Sequence, residues 1–190
     1  SVSRVWFFMQ MNEMVTIAIL TYNRKELLEE LLLSLLKLQY KPMEIIVVDN
    51  HSTDGTQEML EKKFPTIKHL RTQENIGVGA RNLGLKCAKG EIVITLDDDV
   101  SGLGDEEINN LVGKFRSDQN VGAVNFKVLD HMTGQLCNWV HHCRCEDYCN
   151  TEFLTYEITE GAVAFRKCVL EEVGYYSETF FLSHEGPDLA

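Results

Sequence analysis

Long apolar runs are missing from this sequence. None approaches the roughly 20 residues that span a bilayer, and the longest early one, residues 5–9, is too short for the core of a secretory leader. The expectation is a chain that is neither exported nor membrane-spanning and works in a cytoplasm. Basic charge is scarce as well: 18 Lys and Arg stand against 29 Asp and Glu, for a formal net charge of −11. That balance repels phosphate backbones, so nucleic acid is not an expected partner. Two nucleotide signatures are absent too. No G-x-x-x-x-G-K-[ST] occurs, which excludes a P-loop NTPase. Gly77-Val78-Gly79 has Asn82 where the dinucleotide pattern needs glycine, and it does not follow the first strand, which argues against a Rossmann dehydrogenase. Internal repeats and low-complexity tracts are lacking.

What is present is a globular composition: 190 residues, 44% of them apolar, enough for one domain over 1–190 that buries its own core. Residues 1–13 form a ragged start. Residues 15–20 (Val-Thr-Ile-Ala-Ile-Leu) are the near-continuous β-prone run expected of a strand buried on both faces. Leucines at 27, 28, 31, 32, 35 and 38 recur with the helical period and predict a helix over 25–38. Residues 44–48 form a second strand, Thr53 or Asp54 caps a helix reaching about Lys63, and a short strand follows at 67–71. A helix over 79–88 and a strand over 91–96 complete the run. Strands alternating with helices imply βαβ crossovers, hence an α/β fold with a mostly parallel central sheet and helices on both faces. Downstream, the pattern predicts a helix over 105–115, a strand over 121–129, extended chain over 153–165 and a short helix over 167–173. Residues 130–153 lose periodicity and read as a Cys- and His-rich loop.

Ligands of open α/β sheets bind at the carboxyl ends of the strands. Polar residues gather at three such ends: Thr21-Tyr22-Asn23-Arg24, Asp49 to Asp54, and Asp97-Asp98-Asp99. Adjacent carboxylates repel, and a hard divalent cation, Mg²⁺ or Mn²⁺, relieves that repulsion through oxygen ligands shared with substrate phosphates. Alternation along an extended turn puts Asp97 and Asp99 on one side and Asp98 on the other. Asp49 offers an acceptor to a base or ribose, although an Asx-turn and a helix cap also account for Ser52 to Thr56. Gly77 to Asn82 precedes a helix, where backbone N–H groups meet anions and Arg81 pairs with phosphate or with Asp49.

These stretches, Val15 to Arg24, Glu44 to Thr56, Asn75-Ile76-Gly77 with Ala80-Arg81-Asn82, and Leu96-Asp97-Asp98-Asp99, together resemble the family 2 glycosyltransferases of the GT-A fold. The resemblance implies a GT-A-like, Rossmann-like sheet and an inverting, metal-assisted transfer from a nucleoside-diphosphate sugar, UDP-sugars favoured, to a glycan or lipid-linked acceptor. It places Thr21, Tyr22, Asn23, Arg24, Asp49, Ser52, Gly77, Arg81, Asp97 and Asp98 around the nucleotide. Asp97 and Asp99 would meet the metal, Asp99 more directly. The family motif resembling residues 180–189 carries an acidic pair followed two residues later by Asp. Here Gly186 stands at the second acid, so the base is assigned to Glu185, with Asp188 as the alternative. Gly161-Ala162 resembles the acceptor-side turn. The implied setting is polysaccharide or cell-envelope assembly, at the inner face of a membrane. With no closing element after Asp188, the chain reads as a piece cut from something longer.

Cys137, His141, His142, Cys143, Cys145 and Cys149 fall outside that resemblance. They offer six nitrogen or sulfur ligands in 13 residues, enough for structural Zn²⁺, but Cys143-x-Cys145-x₃-Cys149 is not a repeated C-x₂-C pair. Unligated thiols and a disulfide are the competing readings. With no leader, the thiols are expected to be reduced, and Cys87 and Cys168 are expected to be small buried hydrophobes. Three other functions stay open. A sugar nucleotidyltransferase would share the sheet but needs a Gly-rich basic loop after the first strand. A non-catalytic nucleotide- or carbohydrate-binding module, and an interaction domain built on zinc, are the others.

Overall fold

The computed structural model describes residues 12–159 and 161–177. Four strands, β1 (Val15–Thr21), β2 (Met43–Asp49), β3 (Lys68–Arg71) and β4 (Ile92–Asp97), run parallel in the spatial order β3-β2-β1-β4. The sheet continues with β6 (Ala162–Arg166), antiparallel to β4, and ends at β5 (Ala123–Asn125), antiparallel to β6. It is therefore a mixed six-stranded sheet, and its parallel part carries the polar strand ends.

Alternation within the strands builds two cores. Val15, Ile17 and Ile19 of β1, with Ile92, Ile94 and Leu96 of β4, pack under α1 (Lys25–Leu35), α2 (Thr56–Lys63) and α4 (Asp105–Ser117). On the opposite face, Ala18 and Val93 meet Leu85 of α3 (Arg81–Cys87) and Leu170 of α6 (Lys167–Val173). Both faces of β1 and β4 are thereby dry, which is why these strands read as continuous apolar runs.

Some expected boundaries move. The start of α2 is not capped by Thr53 or Asp54 in the N-cap position; Gly55 occupies it with φ +90°. Asp54 acts from one residue earlier, accepting from the Thr56 amide at 3.1 Å and the Thr56 hydroxyl at 2.6 Å. The helix expected over 79–88 begins as a 3₁₀ turn at Gly77–Ala80, entered through Gly77 at φ +68°. The strands expected over 121–129 and within 153–165 shrink to β5 and β6. The Asn125 side chain takes over the ladder there: it accepts from Thr159 N at 3.0 Å and donates to Glu157 O at 2.8 Å. Beyond it Val128 N bonds the Asn138 side chain rather than a strand. The loop over 130–153 contains a single helical turn, α5 (Cys145–Tyr148). Cys168 is exposed and Cys87 half-buried, because α6 turns Leu170 rather than Cys168 to the sheet. Among the described residues no helix is long and apolar enough to cross a membrane.

Candidate functional site

Register aligns the polar strand ends. Thr21 lies opposite Asp49, Leu20 opposite Asp97, and Asp49 opposite Arg71, so β1, β2, β3 and β4 deliver their last residues to one edge. The three consecutive carboxylates then separate by environment. Asp98 is buried, and its oxygens accept from Thr21 Oγ1 at 2.7 Å and Arg24 Nη1 at 3.0 Å. Burial pushes its pKa above the ordinary aspartate value, opposed by those two bonds. Asp97 and Asp99 are open to solvent, with side chains 28% and 47% exposed. Arg81 pairs with Asp97, and Arg24 Nη1 reaches Asp99 Oδ2 at 2.7 Å. The hydrogen bond from Arg24 to Asp98 outweighs the cost of burial and raises the guanidinium pKa further.

Asp49 has a different partner from the one expected. Its side chain is 1% exposed, and Arg71, not Arg81, donates to Oδ2 at 2.6 Å while Ser52 N donates to Oδ1 at 2.8 Å. Arg71 also donates to the Ser52 carbonyl at 2.7 Å, so one guanidinium ties β3 to the loop after β2. Sequence reasoning missed Arg71 because it sits in a short, largely polar strand with no motif around it. The signal that finds it is the register itself, Asp49↔Arg71.

The loops are cross-braced. Asn23 has φ +52°, donates from its amide to Ser52 Oγ at 2.9 Å, and accepts from Thr53 N at 2.7 Å. Asn50 is buried and donates to Asn75 Oδ1 at 2.7 Å and Gly77 O at 3.0 Å. Tyr22 stands at the rim, 44% exposed. Gly161, at φ +88°, accepts from Asp97 N at 2.8 Å. A Cβ there would find only ordinary contacts with Val128 and Val100, so backbone conformation, not space, calls for glycine at this position. Glu185 and Asp188 lie outside the described residues.

Asp97 and Asp99 present the oxygen donors that a hard divalent ion takes, and two carboxylates beside substrate phosphates suffice for such an ion. The zinc reading fares differently. His141 is engaged by Thr155 Oγ1 at 3.2 Å and packs edge-on to Trp139 and Phe153 at centroid distances of 4.9 and 5.0 Å. Burial lowers its pKa, with Glu157 opposing. Cys137 is exposed, and Cys143, Cys145 and Cys149 are half-buried. Among the described residues no three His, Cys, Asp or Glu side chains are placed to hold a metal ion, so Cys137, His141, His142, Cys143, Cys145 and Cys149 are not gathered into a zinc site. Trp139, His141 and Phe153 pack against one another as an aromatic cluster instead.

A sheet of this order, with carboxylates and arginines meeting at the ends of its parallel strands, defines an α/β domain of the GT-A type. The model of the family described as Glycosyl transferase family 2 matches residues 16–158, and the chain belongs to that family. The glycosyltransferase GlyG of Streptococcus pneumoniae serotype 4 is 30% identical over 154 residues, which are 78% of this chain and 50% of GlyG. The UDP-Glc:alpha-D-GlcNAc-diphosphoundecaprenol beta-1,3-glucosyltransferase WfaP of Escherichia coli is 39% identical over 89 residues, 46% of this chain and 36% of WfaP. Among solved structures, the mannosyltransferase PcManGT from Pyrobaculum calidifontis, in complex with GDP-Man and Mn²⁺, superposes with a TM-score of 0.71 at 28% identity. That match covers 95% of this chain and 53% of PcManGT. The chain thus spans about half the length, or less, of these relatives.

Proposed function

We propose that this chain forms the nucleotide-sugar side of an inverting, metal-assisted glycosyltransferase that uses a nucleoside-diphosphate sugar, UDP-sugars favoured, and glycosylates a hydroxyl of a glycan or lipid-linked acceptor. The observation that carries the reading is the convergence of Thr21, Arg24, Asp49, Arg81 and Asp97 to Asp99 on one sheet edge. The relatives support it: WfaP is named for UDP-Glc and a diphosphoundecaprenol acceptor, and PcManGT was solved with GDP-Man and Mn²⁺. Assembly of envelope polysaccharide at the inner face of a membrane is the setting this proposal favours.

In the proposed reaction the acceptor oxygen bonds to the anomeric carbon as the bond to the diphosphate oxygen breaks on the opposite face. The electron pair leaves with the diphosphate, and a carboxylate takes the acceptor proton. Glu185 is the proposed base, with Asp188 the alternative. Arg24 and Arg81 supply positive charge beside the leaving group, where developing negative charge gains most from it. Mn²⁺ or Mg²⁺, held by Asp99 with Asp97, would neutralise the departing diphosphate. Thr21 fixes Asp98, and Asp49 with Arg71 and Ser52 shapes the base-side loop.

Calorimetric titration of UDP, GDP and dTDP, each with and without Mn²⁺, tests the reading on the intact chain and on Asp99→Ala. Metal-dependent binding of one nucleotide that collapses in Asp99→Ala is the expected result. Absence of binding by all three nucleotides under both conditions would sink the reading and move a non-catalytic module ahead.

A further inference from the structure

Arg24 holds two carboxylates at once. One terminal nitrogen donates to Asp98 Oδ1 at 3.0 Å and to Asp99 Oδ2 at 2.7 Å, and the Arg24 side chain is still 49% exposed. Asp98 has a second donor in Thr21 and is buried, so it stays where it is when Arg24 moves. Asp99 is different: among the described residues Arg24 is its one side-chain partner, and 47% of its side chain faces water. The same oxygen donors serve a cation and a guanidinium, but not both at full strength, because like charges repel across a shared carboxylate.

We infer that Arg24 is the residue that couples metal binding to nucleotide binding, exchanging Asp99 for a phosphate oxygen of the diphosphate when the ion arrives. The inference rests on the proposed nucleotide-sugar site and goes beyond it by giving Arg24, which bridges a buried and an exposed carboxylate, the coupling of the two ligands. A divalent ion arriving alone must displace Arg24 from Asp99 and leave the guanidinium beside a new positive charge. An ion arriving with a diphosphate gives that guanidinium a better acceptor, since arginine forms paired bonds to phosphate. Metal and nucleotide thus raise each other's affinity, and by linkage the factor is the same in both directions.

The test measures Mn²⁺ binding directly, by the loss of the free-ion paramagnetic resonance signal, for the intact chain and for Arg24→Ala, Arg24→Lys and Lys25→Ala. Each is titrated without nucleotide and with the diphosphate found to bind. Arg24→Ala is expected to bind Mn²⁺ alone about two- to fivefold more tightly, the range of an exposed charge pair removed from competition. It should also lose most of the nucleotide-induced gain and bind the nucleotide about tenfold more weakly. Arg24→Lys, a point charge that does not bridge two carboxylates, should fall between. Misfolding does not mimic this pattern, because a damaged site does not gain metal affinity. Lys25 controls for net charge: its ammonium faces Asp54 O and Glu26 rather than the triplet, so Lys25→Ala should leave Mn²⁺ affinity unchanged. Unchanged or weaker Mn²⁺ binding in Arg24→Ala, or equal tightening in Lys25→Ala, overturns the inference while the proposed function stands. Failure of the intact chain to bind nucleotide with Mn²⁺ overturns both.

Discussion

Arg71 closes over Asp49: its guanidinium donates to the buried carboxylate at 2.6 Å and to the Ser52 carbonyl at 2.7 Å, locking the end of β3 to the loop after β2. Removing Arg71 leaves a carboxylate that is 1% exposed with the Ser52 amide as the one remaining donor to its side chain among the described residues. Breaking a buried pair from one side costs about 3–5 kcal/mol. The low end applies here, because the Arg71 side chain is itself 28% exposed and water replaces part of it. Arg71→Ala should therefore lose about 3 kcal/mol in urea unfolding, and Asp49→Asn less, since the amide oxygen still accepts from Ser52 N. Equal stability of Arg71→Ala and the intact chain would contradict this account.

Much of the fold is legible in the chain because burial on both faces leaves a plain trace. Residues 17–20 and 92–94 are apolar on successive positions, and a strand between two helix layers asks for that. The polar strand ends are legible for a related reason: a buried strand that stops in Thr, Asp or Asp-Asp-Asp has reached the edge where ligands bind in such sheets. Arg71 was hidden because its role depends on pairing between β2 and β3, which no local pattern records. Arg81 went to Asp97 rather than Asp49 for the same reason. β5 and β6 came out shorter than their apolar patterns suggested because Asn125 replaces ladder bonds with side-chain ones. The Cys- and His-rich loop suggested zinc from its composition, yet His141 is held by Trp139, Phe153 and Thr155. Composition does not reveal which way a ring points.

Two glycines in ordinary backbone conformations predict opposite outcomes. A Cβ at Gly90 would lie 2.6 Å from Thr16 N and 2.8 Å from both Ile92 O and Met14 O, all backbone atoms of the central strands or their entry. Those atoms move only if β1 and β4 separate, so Gly90→Ala should cost about 3 kcal/mol, at the upper end of overpacking penalties. Gly113, on the exposed side of α4, has nothing within 4 Å of such a Cβ. Gly113→Ala should stabilise by about 0.5–1 kcal/mol through helix propensity and a less flexible unfolded chain. Thermal unfolding of the two variants checks both signs in one experiment.

Asp54 gives the fold an acid-sensitive joint. Burial pulls its pKa upward, but bonds from the Thr56 hydroxyl and from the Lys25 and Thr56 amides outweigh burial and hold it below the ordinary aspartate value. A folded pKa below the unfolded one means that the unfolded chain binds the proton more readily. The contribution to stability is therefore fully present above the unfolded value, about 3.9, and is lost as pH falls through the folded value. The stability gap between the intact chain and Asp54→Asn should stay constant from pH 7 to about 5 and narrow below about 4. Urea midpoints of both proteins at pH 7, 5 and 3 measure it, and a gap that persists undiminished at pH 3 would remove Asp54 from the explanation.

Within the acidic triplet, burial predicts a division of labour between neighbours. Asp98 is buried with Thr21 and Arg24 both donating to it, so Asp98→Ala strands the buried Thr21 hydroxyl, while Arg24 keeps Asp99 and water. Its cost should be about 1–3 kcal/mol, or a melting point lower by several degrees, and Asp98→Asn should cost less because it keeps an acceptor for Thr21. Asp99 is 47% exposed, so Asp99→Ala should change stability by no more than about 0.5 kcal/mol. Its effect belongs to ligand binding instead, lowering nucleotide affinity in Mn²⁺ at least about tenfold if a carboxylate–metal contact is lost. Melting curves and calorimetry on the same three variants separate the two roles. A large stability loss in Asp99→Ala together with unchanged nucleotide affinity would reverse the assignment, making the exposed carboxylate structural and the buried one the candidate ligand.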